Sequence, residues 1–287
     1  MVIKKVAVGL IFLVLAAGFF NSCTEESRVD APSLAYDLAA PEVFELAAEL
    51  KEVSGIAPAA GDTVLLAIQD ERGDLYYLDL KGNILQKKIF NKGGDFEDLV
   101  VIGKQVFVLK SNGNLQYISD YTADSLTSVS YKTNHRFKDG LEFESLAADT
   151  LNNRLLLLVK DGEGRSGKAP VYGFDLTKMD FFSDAVALLD PKAAPKVTVK
   201  GKNLRASGMS VHPITAEWYI ISSISRMLLI AGSQGDGIIS RKLPKKMFPQ
   251  PEGICFLSDG TLFLTTEGLT KPAKLFRFSY QPNKSVN

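Results

Sequence analysis

Apolar and polar positions along this chain fall into short runs, and after residue 50 one pattern opens run after run: a small or acidic pair, then Ile, Leu or Met. It occurs as Ser54-Gly55-Ile56, Glu97-Asp98-Leu99, Glu144-Ser145-Leu146, Ser207-Gly208-Met209 and Glu252-Gly253-Ile254. Successive occurrences are 43, 47, 63 and 45 residues apart. A period in the forties, filled with short apolar stretches and Gly, Asn or Asp turns, marks a supersecondary unit repeated around an axis.

The last unit shows the content of a repeat. The apolar run 251–257 is followed by Ser258-Asp259-Gly260 and then by residues 261–265, which is strand, Asp-Gly turn, strand. The first unit continues alike, with apolar 63–68, a polar turn at 70–73, alternating 74–80, Lys81-Gly82-Asn83, and 84–90. Four short strands fit one period, and no segment in it has the periodicity of an amphipathic helix. The expected fold is therefore all-β, a β-propeller of four-stranded antiparallel blades. Five motifs predict five blades, with six if one motif has decayed. Residues 34–46 then supply the outer strand of the last blade and close the ring between the two ends of the chain. The longer third spacing places an inserted loop between residues 161 and 202, where Gly, Lys, Ala and Pro are dense.

The chain opens differently. Lys4-Lys5 precede fifteen consecutive apolar or Gly residues at 6–20, then Asn21-Ser22-Cys23. This is the layout of a secretory signal peptide, shorter than the roughly 20 residues that span a bilayer. Cys23 resembles the lipobox Cys of bacterial lipoproteins, which is acylated and becomes the first mature residue, although Phe20 stands where that pattern usually has Leu. Glu25-Glu26 resembles the surface-export signal of some lipoproteins. The expected organisation is a signal peptide at 1–22, a lipidated Cys and polar tether at 23–33, and one propeller domain at 34–287. The expected location is the outer membrane, facing the periplasm or the surface. The bilayer would be a partner through the acyl chain. The full chain has 33 basic and 33 acidic residues, so no net field points to nucleic acid.

The segments Lys51-Glu52-Val53-Ser54-Gly55-Ile56-Ala57 and Pro251-Glu252-Gly253-Ile254 resemble the SdiA-regulated (YjiK-like) β-propellers, over roughly residues 36–280. The resemblance implies a periplasmic or cell-surface propeller associated with calcium and distantly similar to β-propeller phytases. It implies no single settled activity.

In a propeller, the loops entering the innermost strands and those joining second and third strands emerge on one face. Glu52, Glu97, Asp98, Glu144 and Glu252 stand at the first set and should gather at the channel mouth. The second set adds Asp70, Glu71, Lys110, Ser111, Lys160, Asp161, Ser225 and Glu267, so that carboxylates alternate with Lys around the ring. His135, Arg136 and Lys138 ahead of the third motif, and Lys202 and Arg205 ahead of the fourth, join the same face. Calcium takes six to eight hard oxygen ligands in flexible geometry, which makes Glu97, Glu144, Glu252, Glu52 and Asp98 the metal candidates. Lys110, Lys160, Asp161, Arg205, Asp70, Glu71, Glu267 and His135 are the ligand-binding candidates. The competing account has the acids accepting backbone N–H bonds from neighbouring blades or pairing with Lys110 and Lys160. Ser207, where the fourth repeat lacks an acid, weighs toward it.

Catalytic signatures are absent from the sequence. The chain has two His and neither zinc-type spacing nor a Gly-x-Ser-x-Gly elbow. His212, just before Pro213, reads as structural, Cys255 as a buried thiol, and Trp218 as a wedge between blades. The run 162–168 has the glycine spacing of a nucleotide-binding loop, but Ala169-Pro170 and a strand-like segment follow it where a helix would be needed. The expected function is a lipid-anchored envelope propeller that binds a small ligand, calcium or a protein at the channel-mouth face. The alternative is a calcium-dependent phosphoesterase, with Glu97, Glu144 and Glu252 on the ion and Lys110, Lys160 or Arg205 on phosphate. A third reading is a purely structural scaffold.

Overall fold

The computed structural model describes residues 35–133, 137, 140–161, 167–190 and 204–282. Their strands form five antiparallel sheets set around one axis. Blade 1 is Val53–Ala59 (β2), Val64–Gln69 (β3), Asp74–Leu78 (β4) and Ile84–Ile89 (β5). Blade 2 is Phe96–Ile102 (β6), Gln105–Lys110 (β7), Leu115–Ile118 (β8) and Val129–Tyr131 (β9). Blade 3 is Phe143–Asp149 (β10), Arg154–Val159 (β11) and Ala169–Asp175 (β12), with Asp180–Phe181 (β13) and Ala187–Leu189 (β14) both pairing to β12. Blade 4 is Gly208–Val211 (β15), Trp218–Ser222 (β16), Met227–Ala231 (β17) and Ile239–Lys242 (β18). Blade 5 is Pro251–Phe256 (β19), Leu262–Thr266 (β20), Lys274–Phe278 (β21) and, as its outer strand, Glu42–Glu45 (β1).

The ring is thus five-bladed and is closed by the segment ahead of the first repeat, with Glu42 opposite Arg277 and Glu45 opposite Lys274. No α-helix occurs among the described residues. The insertion in the third repeat supplies β13 and β14, and β12 starts at Ala169 directly after the Gly-rich run, which excludes a helix there.

Position in the blade explains the strand compositions. Second strands lie between flanking blades and are buried on both faces, so they are continuous apolar runs, as in Leu155 to Leu158 of β11, all fully buried. Outer strands face water on one side and carry polar residues, as in ILQKKI of β5, whose Lys87 and Lys88 also discourage pairing with another chain. The Asn112-Gly113 and Asp259-Gly260 turns put glycine at φ 82° and 85°, the left-handed region that a side chain resists. Trp218 is buried in the core, and so is Cys255. Burial pushes the Cys255 thiol far up, which removes it as a nucleophile. His212 is structural: its Nδ1 accepts from the N–H groups of Ile214 and Thr215. Nε2 therefore carries the proton and donates to Tyr36 Oη at 2.8 Å, and Tyr36 in turn donates to the Gly260 carbonyl at 2.6 Å.

The innermost strands β2, β6, β10, β15 and β19 pack against one another in a closed ring. Four of them begin with a register shift, at Val53/Gly55, Phe96/Asp98, Phe143/Ser145 and Pro251/Ile254. Those bulges release Ser54, Glu97, Glu144 and Glu252 from the ladders. Ser207, one residue before β15, holds the matching place in blade 4.

The second motif position points inward, and there space decides the residue. A Cβ on Gly55 would lie 2.9 Å from both Cα and Oδ1 of Asp98, and one on Gly253 would lie 2.6 Å from Thr265 Oγ1. A Cβ on Gly208 would run into the Glu252 carbonyl. Blade 3 puts the buried Ser145 hydroxyl into this space, and blade 2 a carboxyl. Asp98, 2 % exposed, accepts the Leu99 N–H on Oδ1 and the Leu146 N–H on Oδ2, both at 2.8 Å. One carboxyl thereby ties the inner strands of blades 2 and 3, and the Met209 N–H of blade 4 lies near enough to lower its pKa. Asp98→Ala leaves these buried donors without their acceptor, at a cost on the order of 4 kcal/mol, which lowers Tm by roughly 10 °C. Asp98→Asn, which keeps one acceptor oxygen, should lose about half as much. Thermal melts of the two variants check this, and a loss below about 3 °C for Asp98→Ala would contradict it.

Candidate functional site

On one face the axis opens into a cavity of about 790 Å³ whose wall repeats with the blades. The five leading motif positions, Ser54, Glu97, Glu144, Ser207 and Glu252, all line it. So does the first residue past the second strand of every blade: Asp70, Ser111, Lys160, Ser223 and Glu267. The loops entering inner strands add Asp95, Glu142, Arg205 and Gln250, and the β16–β17 turn adds Arg226.

Among the described residues eight carboxyl groups line this cavity against three basic side chains, so there carboxylates do not alternate with lysines as expected. Lys160 is neutralised locally, bonded closely to Glu144 with Glu142 at 3.4 Å. Arg205 Nε lies 3.2 Å from Asp161 Oδ1. Arg226 forms no ion pair with any described residue. Lys110 does not line the cavity; its ammonium sits 5.5 Å from the centre of the Phe96 ring. Asp161 and Glu52 also stand off the wall, although Glu52 raises the pKa of both Asp70 and Glu267. Asp98 belongs to the axis below and its oxygens are taken by backbone donors. Cys23, His135, Arg136, Lys138 and Lys202 lie outside the described residues.

Burial and mutual repulsion hold the acids above their ordinary range. Glu97 is pushed up to about 7 by burial first and then by Glu144. Glu267 is pushed up to about 7 by burial, then by Asp70. Burial, reinforced by Glu267, sends Glu252 well up, and Gln250 Nε2 donates to the carboxylate of Glu267. Asp70 rises through burial and its neighbours Glu52 and Glu71. Glu144 rises too, because burial outweighs its ion pair with Lys160. Among the described residues no three His, Cys, Asp or Glu side chains converge to hold a metal ion. A calcium site would need Glu97, Glu144 and Glu252 to draw together.

The sequence reading passed over Asp95, Glu142 and Gln250, which stand one residue before β6, β10 and β19. Glu52 holds the same place before β2, and that parity is the signal that points to them. Arg226 carries no repeat signal.

The family model for SdiA-regulated proteins matches residues 33–279. No curated protein matches the chain. Among solved structures it is similar to Myxococcus xanthus glutaminyl cyclase, with TM-score 0.56, 13% identity, and 84% of this chain and 94% of that one covered. It is similar to PQQ-bound aldose sugar dehydrogenase from Streptomyces coelicolor, with TM-score 0.51, 11% identity and coverage of 84% and 98%. It is also similar to luciferin-regenerating enzyme, with TM-score 0.50, 10% identity and coverage of 84% and 95%. At such identities the likeness is one of fold, and the fold does not choose among these chemistries.

The raised acids have a consequence for stability. A carboxyl whose pKa is higher folded than unfolded stabilises the fold below its unfolded value, here about 4.5, and loses that contribution as pH rises through about 7. Between pH 6.5 and 8.5 Tm should therefore fall by roughly 5 °C, and the double variant Glu97→Gln, Glu267→Gln should fall less. Melting curves across that window check it; identical slopes for the two proteins would contradict it.

Proposed function

The chain belongs to the SdiA-regulated family, and we propose that it is an envelope binding module, tethered by an acylated Cys23 through residues 24–33, whose acid-lined cavity takes a positively charged ligand. The observation that carries this reading is the crowding of Asp70, Glu97, Glu144, Glu252 and Glu267 around one cavity, each carboxyl held above its ordinary pKa. A cation entering there relieves the repulsion among these carboxylates, so its binding energy is drawn from charges already in position. Phosphoester hydrolysis is supported less. Lys160 and Arg205, the cations it would use, are already matched to Glu144 and Asp161, and a phosphate would face eight carboxyls. Calcium is the alternative occupant, with Glu97, Glu144 and Glu252 as its nearest set of donors.

Thermal melting at pH 8 separates these readings. Millimolar 1,5-diaminopentane should raise Tm by about 5 °C, and phosphate should not be released from an aryl phosphate. Stabilisation by calcium that a chelator reverses, with none from the diamine, would give the cavity to the metal. No shift from either would overturn the cation reading. For the anchor, Cys23→Ser should move the protein from the membrane fraction to the soluble fraction of cells expressing it; unchanged membrane association would contradict acylation at Cys23.

A further inference from the structure

The acidic wall has one corner that is short of donors. On blade 1, Ser54 is 8 % exposed and lines the cavity, and its Oγ has no hydrogen-bond partner. Asp70, one residue beyond β3, also lines the cavity, and its Oδ1 is buried and unpartnered too. Val53 is paired with Gln69, so Ser54, bulged out of the β2 ladder, and Asp70, just past β3, lie toward the cavity end of two neighbouring strands. Glu267 stands on the adjoining blade 5, close enough for the charge of Asp70 to act on it. Buried polar atoms are nearly always hydrogen-bonded in a folded protein, and two orphaned oxygens on blade 1 of the same cavity wall leave bonds to be made by a ligand.

The chemistry of those donors is narrow. Ser54 Oγ, Asp70 Oδ1 and Glu267 Oε1, the oxygen that Gln250 does not bond, offer one acceptor each, which matches the three N–H bonds a primary ammonium presents. Calcium asks for six to eight oxygens, whereas no three acidic, His or Cys groups converge among the described residues. A quaternary ammonium has no N–H to give and is recognised by aromatic faces, and among the described residues no aromatic side chain lines this cavity.

We propose that Ser54 Oγ, Asp70 Oδ1 and the Glu267 carboxyl form a subsite for the primary ammonium group of a small amine. This rests on the cation-binding reading and names the group recognised. Ser54 is then a binding residue whose hydroxyl serves the ligand and holds nothing within the protein. Its loss should weaken the ligand and spare the fold.

The test is calorimetric titration of the full chain at pH 8 with 1,5-diaminopentane and with its hexamethyl bis-quaternary analogue, which has the same two charges and no N–H. The diamine should bind at least about tenfold more tightly. Ser54→Ala should weaken the diamine by about tenfold, leave the quaternary analogue unchanged, and not lower Tm of the unliganded protein. Equal affinity for the two ligands, unaltered by Ser54→Ala, would overturn the subsite and leave a cavity that reads charge alone. Binding of neither ligand would overturn both this and the cation reading. A fall in Tm of the free Ser54→Ala protein would give the hydroxyl a structural role and likewise overturn the subsite.

Discussion

A single carboxyl at the axis, that of Asp98, is the contact on which the arrangement of the inner strands depends. Where β6 and β10 converge, the N–H groups of Leu99 and Leu146 point to a buried place, and Asp98 accepts both, with the Met209 N–H of β15 near enough to pull its pKa down. Burying a carboxyl is costly unless donors surround it, and here the bonded donors come from two blades. Burial still drives its pKa well up against the pull of those N–H groups. The space it occupies is matched by what its neighbours lack: the equivalent residues are Gly55, Ser145, Gly208 and Gly253, and a Cβ on Gly55 would strike it.

The same local geometry builds the cavity. A bulge that turns the second motif position inward leaves the first unpaired and facing the opening, so Ser54, Glu97, Glu144 and Glu252 line the wall as a by-product of how the inner strands start. Three of these five leading positions, with Ser207 completing the set, are acids that repel one another. A scaffold needs no such charge there, since Ser holds the place in two blades. The acids lower stability as pH rises through about 7 without serving the ring, and a bound cation is proposed on that ground.

Much of this was legible in the sequence because a propeller repeats its strands and turns. The apolar runs and Gly turns revealed the blades, and the apolar segment ahead of the first repeat revealed the closing strand, found at Glu42–Glu45. What escaped was single-residue facing. Glu97 and Asp98 are adjacent acids with different destinations, and residue type alone does not say which of the two takes the bulge. Lys110 is the last residue of β7, one short of Ser111, the true counterpart of Lys160, and in a strand one residue is a change of face. Lys110 accordingly lies over Phe96 while Lys160 lines the cavity. Arg226 stands in a turn between repeats, where no period could place it.

Amide hydrogen exchange at the axis tests this account most directly. If Asp98 holds the inner strands together, the amides of Leu99 and Leu146 should exchange only through global unfolding, with protection equal to that of the fully buried β11. Exchange of Leu146 at rates like those of the exposed outer strand β5 would show that no carboxyl bridges the blades, and would contradict the account.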